Sequence, residues 1–298
     1  MYPAPFRYYR PDSLKDAITL LSELGEGARP LAGGQTLIPI LKLRMDEPSD
    51  LVDIGRLPDL RYLRHKNGQV HIGALATHAS IARSEIASLV PIVGDCAAGI
   101  ADPQVRSRGT IGGSVSAADP SCDWPSLLHT LDAEILCQGT DGKRTIPIRD
   151  FIQDSYTTAL ADAELVTGIR FNVPQANSGG SYIGFKKAAP AYPAAAVGIQ
   201  LILAEGELCE DVRLVLSAVG PRPVTSEEAE AQLRGQPLTR ENLQKAAEAI
   251  IAESDPPSDS RGTGQFKRAM LGSLFAKAAE TAIRRARGAQ IDGSHNYV

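Results

Sequence analysis

Two short glycine-bearing segments, about eighty residues apart, constrain this chain more than any other feature: Leu31-Ala32-Gly33-Gly34-Gln35-Thr36-Leu37-Ile38 and Arg108-Gly109-Thr110-Ile111-Gly112-Gly113-Ser114. Each joins an apolar approach to paired glycines and a hydroxyl residue. Main chain without a Cβ can come close to a ligand, and its N–H groups can turn toward an anion. Neither segment reads G-x-G-x-x-G or G-x-x-x-x-G-K-S/T, so Rossmann and P-loop folds lose their main support. A tight turn is the plain alternative for either segment alone.

The segments sit among alternating helix and strand signals. Ser13 with Asp16 three residues on is a capping pattern; Leu14, Ile18 and Leu21 follow at helical spacing, and Gly25 stops the helix. Residues 28–31, 51–54 and 70–73 read as strands and 37–44 as a helix, an alternation that favours α/β layers. A helical stretch after Thr77 carries Ile81, Ile86 and Leu89 and runs into a polar, glycine-containing stretch over 99–113. Asp123-Trp124-Pro125 then opens a helix with Asp123 as its cap. Strands are expected at 134–138, 144–148 and 165–173. Residues 175–181 are small and polar, the composition of a linker, which places one unit at 1–175 and a second at 176–290. The second reads as α+β: apolar runs over 194–204 and 212–219 form an antiparallel pair, followed by helices at 226–233, 239–252 and 265–287 with a loop at 255–260.

Charge and cysteine usage narrow the function classes. Thirty-one basic residues face 35 acidic ones, a net charge of −4 that argues against a general nucleic-acid binder or a polybasic membrane binder. Aromatic residues make up only 5%, too few for a base-stacking platform. No stretch nears the roughly 18 apolar residues of a membrane span. The opening Met1-Tyr2-Pro3-Ala4-Pro5 lacks a basic region followed by an apolar run, so a cytoplasmic protein is expected. Cys96, Cys122, Cys137 and Cys209 lie 26, 15 and 72 residues apart, which matches no zinc or iron–sulfur spacing, and they read as buried free thiols. His65, His71, His78, His129 and His295 are scattered, so neither a metal site nor a hydrolytic triad assembles from them.

Taken in order, the motifs resemble those of the FAD-binding medium subunits of molybdenum hydroxylases, the family of the carbon monoxide dehydrogenase medium subunit and the xanthine dehydrogenase flavin domain. The family pattern A-G-G-H-S-L is matched by Ala32-Gly33-Gly34-Gln35-Thr36-Leu37, T-I-G-G-N by Thr110-Ile111-Gly112-Gly113-Ser114, and an acidic residue in a D-L/W-P setting by Asp123-Trp124-Pro125. Pro5-Phe6-Arg7-Tyr8 and the stretch from Arg261 to Arg268 extend the likeness over nearly the whole chain. The resemblance implies an α+β fold: a two-lobed FAD-binding domain of PCMH type, named after p-cresol methylhydroxylase, then a smaller α+β domain with an antiparallel sheet and helices. FAD is expected in the crevice between them.

Carried over by position, the resemblance implies that Leu31, Ala32, Gly33, Gly34, Gln35, Thr36, Leu37 and Ile38 wrap the pyrophosphate and that Ile100 and Ala101 touch the adenine or ribityl side. Gly109, Thr110, Ile111, Gly113 and Ser114 would add main-chain donors, and Asp123 would hold a flavin or ribityl hydroxyl. Leu165 and Lys186 are expected near the cofactor, with Tyr192 at a face of the ring. A dianionic pyrophosphate wants amide donors, while a redox ring wants a shielding wall and a nearby cation. Plainer readings stand beside these: Asp123 as a helix cap, Lys186 as a solvated charge, Tyr192 as packing between Pro190 and Pro193. Arg106 and Arg108 either balance the pyrophosphate or lie in solvent. Gln35, Thr36 and Ser114 replace the family's commoner His, Ser and Asn, and Ala189-Pro190-Ala191 stands where a charged Gly-Asp segment is usual. His78 reads as a helix-start residue rather than a point of covalent flavin attachment.

The implied function is electron transfer. A large molybdopterin partner would oxidise the substrate, a small partner would carry electrons through 2Fe-2S clusters to FAD on this chain, and an external acceptor would take them, in a dimer of heterotrimers. A standalone FAD-dependent reductase of the same fold and a non-catalytic nucleotide-binding protein are the alternatives. Gly33→Val and Gly112→Val are expected to strip FAD from a folded chain.

Overall fold

The computed structural model describes residues 2–188 and 191–291. The first lobe is a small parallel sheet of order β1-β3-β2, formed by β1 (Arg7–Tyr9), β2 (Ala28–Leu31) and β3 (Asp50–Asp53). Helix α1 (Leu14–Leu24) joins the first two strands: Ser13 Oγ accepts from Asp16 N at 3.1 Å, Ala17, Ile18 and Leu21 are buried, and Gly25 ends the helix at φ 65°. Helix α2 (Leu37–Leu43) follows β2 and carries Pro39 in its first turn, where a missing N–H costs nothing. The loop between them, at the carboxyl end of a parallel strand, is the first glycine segment. Such ends are where open parallel sheets receive ligands.

The second lobe is antiparallel, with strand order β4-β5-β10-β6-β7. Its strands are β4 (Leu63–Lys66), β5 (Gln69–Gly73), β6 (Glu134–Gly139), β7 (Gly142–Pro147) and β10 (Leu165–Asn172), with a side ribbon of β8 (Ile152–Asp154) and β9 (Thr157–Thr158). Asn67 and Gly68, at φ 53° and 72°, close the β4–β5 hairpin, a turn that needs two left-handed residues. Helices α3 (His78–Ala82), α4 (Glu85–Leu89), α5 (Pro91–Gly99), α6 (Pro103–Arg108), α7 (Ile111–Ala117), α8 (Asp123–Thr130) and α9 (Ile148–Phe151) supply the rest of this lobe. Val70, Ile72, Ile135 and Ile169 from the sheet and Ile111, Trp124, Leu127 and Phe151 from the helices share one core.

The C-terminal unit is a three-stranded antiparallel sheet of order β11-β12-β13: β11 (Ser178–Phe185), β12 (Ala195–Leu203) and β13 (Cys209–Ser217). Helices α10 (Glu227–Leu233), α11 (Arg240–Ala252) and α12 (Gly264–Ala286) pack with it around their own apolar cluster. The fold is therefore α+β, with parallel pairing confined to the first lobe.

Three local expectations change. The small polar stretch over 175–181 is a linker only to Asn177, because Ser178 to Ser181 begin β11. A Cβ on Gly179 would sit 2.0 Å from Ala282 O, so this glycine lets α12 lie directly on the strand. The stretch over 99–113 contains α6, capped by Asp102 accepting from Val105 N at 2.8 Å, and the start of α7. Asp123 is the first residue of α8, with Cys122 at the cap and no side-chain capping bond.

Candidate functional site

A cleft of about 480 Å³ opens where the two glycine segments meet. Their contact is main chain on main chain: a Cβ built on Gly33 would lie 2.1 Å from Arg108 O and 3.0 Å from Gly109 Cα. Only glycine fits there. Gly34 takes φ 74°, turning the loop back toward α2, where its carbonyl accepts from Ile38 N at 3.0 Å. The N–H groups of Gly33, Gly34, Gln35, Thr36 and Leu37 find no acceptor among the described residues. Five consecutive donors without acceptors, on residues that line the cleft, fit a diphosphate, whose oxygens would satisfy them.

The second segment works differently from expectation. Gly109 N donates to Val105 O, Ile111 N to Ala76 O, Gly112 N to Ala74 O, Gly113 N to Thr110 Oγ1 and Ser114 N to Thr110 O. That leaves only the Thr110 N–H of the run without an acceptor among the described residues. The segment's contribution is close approach: a Cβ on Gly112 would lie 2.7 Å from Ala74 O and 2.6 Å from Ala74 Cβ. For the same reason Gly33→Val and Gly112→Val would displace main chain and cannot leave the fold untouched, contrary to expectation.

Of the residues carried over by position, Ala32, Gly33, Gly34, Gln35, Thr36, Leu37, Ile100, Ala101, Gly109, Thr110, Gly113, Ser114, Asp123, Leu165, Lys186 and Tyr192 line the cleft. Leu31, Ile38 and Ile111 do not. Ile111 is wholly buried in the core, and Leu31 and Ile38 flank Gly34, their side chains 3.4 and 3.1 Å from where its Cβ would be. Sequence reasoning passed over Ala74, Leu75, Val105, Ser116, Cys122 and Tyr156, and set His78 aside; all of them line the cleft. Packing brings them there from separate elements, and no motif marks them.

Buried charge gathers on one wall. Asp123 and Lys186 are both nearly inaccessible, with Lys186 Nζ 3.9 Å from Asp123 Oδ2. Tyr182 Oη donates to Asp123 Oδ1 at 3.2 Å, and Lys186 Nζ donates to Gly99 O at 2.5 Å. Burial pushes the Asp123 carboxyl up, while the Lys186 cation and the Tyr182 hydroxyl pull it back. Lys186 is therefore no solvated charge. Tyr192 lines the cleft together with Thr36 of the first glycine segment and Cys122, and burial pushes its hydroxyl well up. Ala189 and Pro190, just before it, lie outside the described residues.

His78 is the first residue of α3, as the sequence suggests. Trp124 Nε1 donates to its Nδ1 at 3.0 Å, which leaves the ring's proton on Nε2. Burial, with a smaller push from Arg106, lowers its pKa to about 4, so it faces the cleft as a neutral ring. The four cysteines are buried and free, and burial followed by Asp119 drives the Cys122 thiol to about 12. Among the described residues, which exclude His295, no group of three or more His, Cys, Asp or Glu could hold a metal. No described helix is long and apolar enough to cross a membrane.

Two sequence families match. One, described as the FAD binding domain in molybdopterin dehydrogenase, covers residues 4–175; the other, the CO dehydrogenase flavoprotein C-terminal domain, covers 181–282. The carbon monoxide dehydrogenase medium chain of Afipia carboxidovorans is 39% identical over 288 residues, 96% of this chain and 100% of that one. The glyceraldehyde dehydrogenase medium chain of Sulfolobus acidocaldarius is 37% identical over 93% of this chain and 98% of its own. Among solved structures, the carbon monoxide dehydrogenase of Hydrogenophaga pseudoflava matches with a TM-score of 0.93 at 36% identity, covering 96% of this chain and 99% of the matched chain. The donor run, the glycine contact and these matches agree: the chain belongs to the FAD-binding medium subunits of molybdenum hydroxylases, and is an oxidoreductase subunit whose cofactor is FAD.

Proposed function

We propose that this chain carries FAD in the cleft between its glycine segments and relays electrons from 2Fe-2S clusters on a small partner to an external acceptor. A large molybdopterin partner oxidises the substrate, and the assembly is a cytoplasmic dimer of heterotrimers. The observation that carries the reading is the run of five main-chain donors from Gly33 to Leu37, packed against Gly109 in a cleft that also holds Lys186 and Asp123. Bound there, the flavin supplies a carrier that exchanges electrons singly with clusters and in pairs with other acceptors. The donors fix the diphosphate, Tyr192 shields one side of the cleft, and the buried Lys186 cation favours the electron-rich form of the ring. We assign residues 1–175 to the FAD-binding unit and 176–290 to the C-terminal one. An apolar cluster drawn wholly from Ile183 to Ala286 supports this division. The buried, scattered cysteines support clusters being held on another chain.

Gly34→Ala tests the site. A side chain at φ 74° costs about 1 kcal/mol and turns the donor run, yet its Cβ would meet only the side chains of Ile38 and Leu31. Flavin content, read at about 450 nm and by release of FAD into acid, should fall several-fold in a folded chain. A fully loaded, yellow Gly34→Ala protein would overturn the assignment. For the role, the co-expressed complex should carry iron and molybdenum beside FAD. An isolated chain that NADH reduces rapidly and that turns over without partners would favour the standalone reductase.

A further inference from the structure

Helix α5 ends under the cleft, and how its last carbonyls are satisfied sets the shape of one wall. The final carbonyls of a helix have no partner within it and carry its negative dipole end, so a buried terminus needs outside donors. Here three consecutive carbonyls are met by cations from two directions. Lys186 Nζ, at the start of the segment after β11, donates to Gly99 O at 2.5 Å. Arg106 Nη1, on α6, donates to both Ile100 O and Ala101 O at 2.8 Å. Between them the chain reverses through Ala101, which has φ 43°, a left-handed conformation that costs a residue with a Cβ. Ile100 and Ala101 both line the cleft, as do Val105 of α6 and His78 of α3.

We propose that Arg106 is a positioning residue for the cofactor: its guanidinium holds the Ile100–Ala101 turn in its left-handed form and so sets the wall against which FAD packs. The inference rests on the cleft being the FAD site. Its Nη1 is committed to the loop, so Arg106 is more than a solvated charge. Both bonds leave the one Nη1, whose two N–H groups are held in the guanidinium plane, and a lysine ammonium can reach the same carbonyls with less directional donors.

The test uses the full chain with its FAD. Arg106→Gln should release FAD about tenfold faster, a fraction of what two charge-assisted hydrogen bonds contribute because the wall and not FAD loses them, with altered flavin fluorescence quenching and visible band shape. Arg106→Lys should recover most of the release rate and the spectrum. Thermal unfolding of the flavin-free proteins separates loss of fold from loss of the wall. Should Arg106→Gln fail to fold, Ala101→Val provides the second reading: a β-branched side chain raises the cost of the left-handed turn at φ 43° without touching the arginine and should also quicken release and change the spectrum. Wild-type release and spectrum in Arg106→Gln, or in Ala101→Val where the first variant does not fold, would overturn the proposal. Gly34→Ala distinguishes the two failures. If it loses FAD while the Arg106 variants do not, only this inference falls; if it too keeps FAD, the site assignment falls with it.

Discussion

At the scale of single residues, His78 sets a measurable acid limit. An unfolded histidine takes up its proton near pH 6.5, and the folded one only near 4, so the unfolded chain binds more protons between those values. Stability from this group is complete above about pH 6.5 and falls as the pH drops toward 4, by about 3 kcal/mol in all. Urea midpoints at pH 7 and pH 5 should show that slope, and His78→Gln, which keeps an acceptor for the Trp124 indole, should flatten it. The motif residues of the cleft were legible in the sequence because paired glycines have few uses, and Gly33 shows one that no other residue can fill. His78, Cys122 and Tyr156 were not, since what makes them cleft residues is the neighbour each acquires on folding. The donor role expected of Gly109 to Ser114 was misassigned for a related reason. Whether an amide is free depends on acceptors such as Ala74 O and Ala76 O, which reach it from another element.

At the scale of elements, most helices and strands announce themselves through caps and periodicity, as α1 does through Ser13 and Gly25. The misreadings occur where one composition serves two structures. A run such as Ser178-Gly179-Gly180-Ser181 suits a flexible linker and equally a strand pressed onto a helix, and only the helix decides between them. Gly179→Ala is therefore expected to prise α12 from β11, with a loss of about 1–3 kcal/mol seen as a lower thermal midpoint. A true linker position would tolerate the change with no shift. The polar stretch before the second glycine pair hid α6 because that helix has no buried apolar face; its start is marked by Asp102 followed by Pro103, a cap signal that composition alone obscures.

At the scale of the molecule, α5 is the beam shared by both units. Arg285 of α12 donates to Asp95 through Nη1 at 2.6 Å and Nη2 at 3.0 Å, and also to Gly180 O, all of it buried. Asp95→Ala leaves that guanidinium without its carboxylate in the interior and should cost about 3–5 kcal/mol by chemical denaturation, whereas Asp95→Asn should cost less because an acceptor remains. The far end of the same helix is gripped by Lys186, also supplied after residue 178. This has a bearing on biosynthesis. A nascent chain that has emerged only through its glycine segments lacks both anchors for the helix that ends at the Ile100–Ala101 turn, so flavin capture must await the emergence of α12, and a product stalled or terminated before that helix should be colourless.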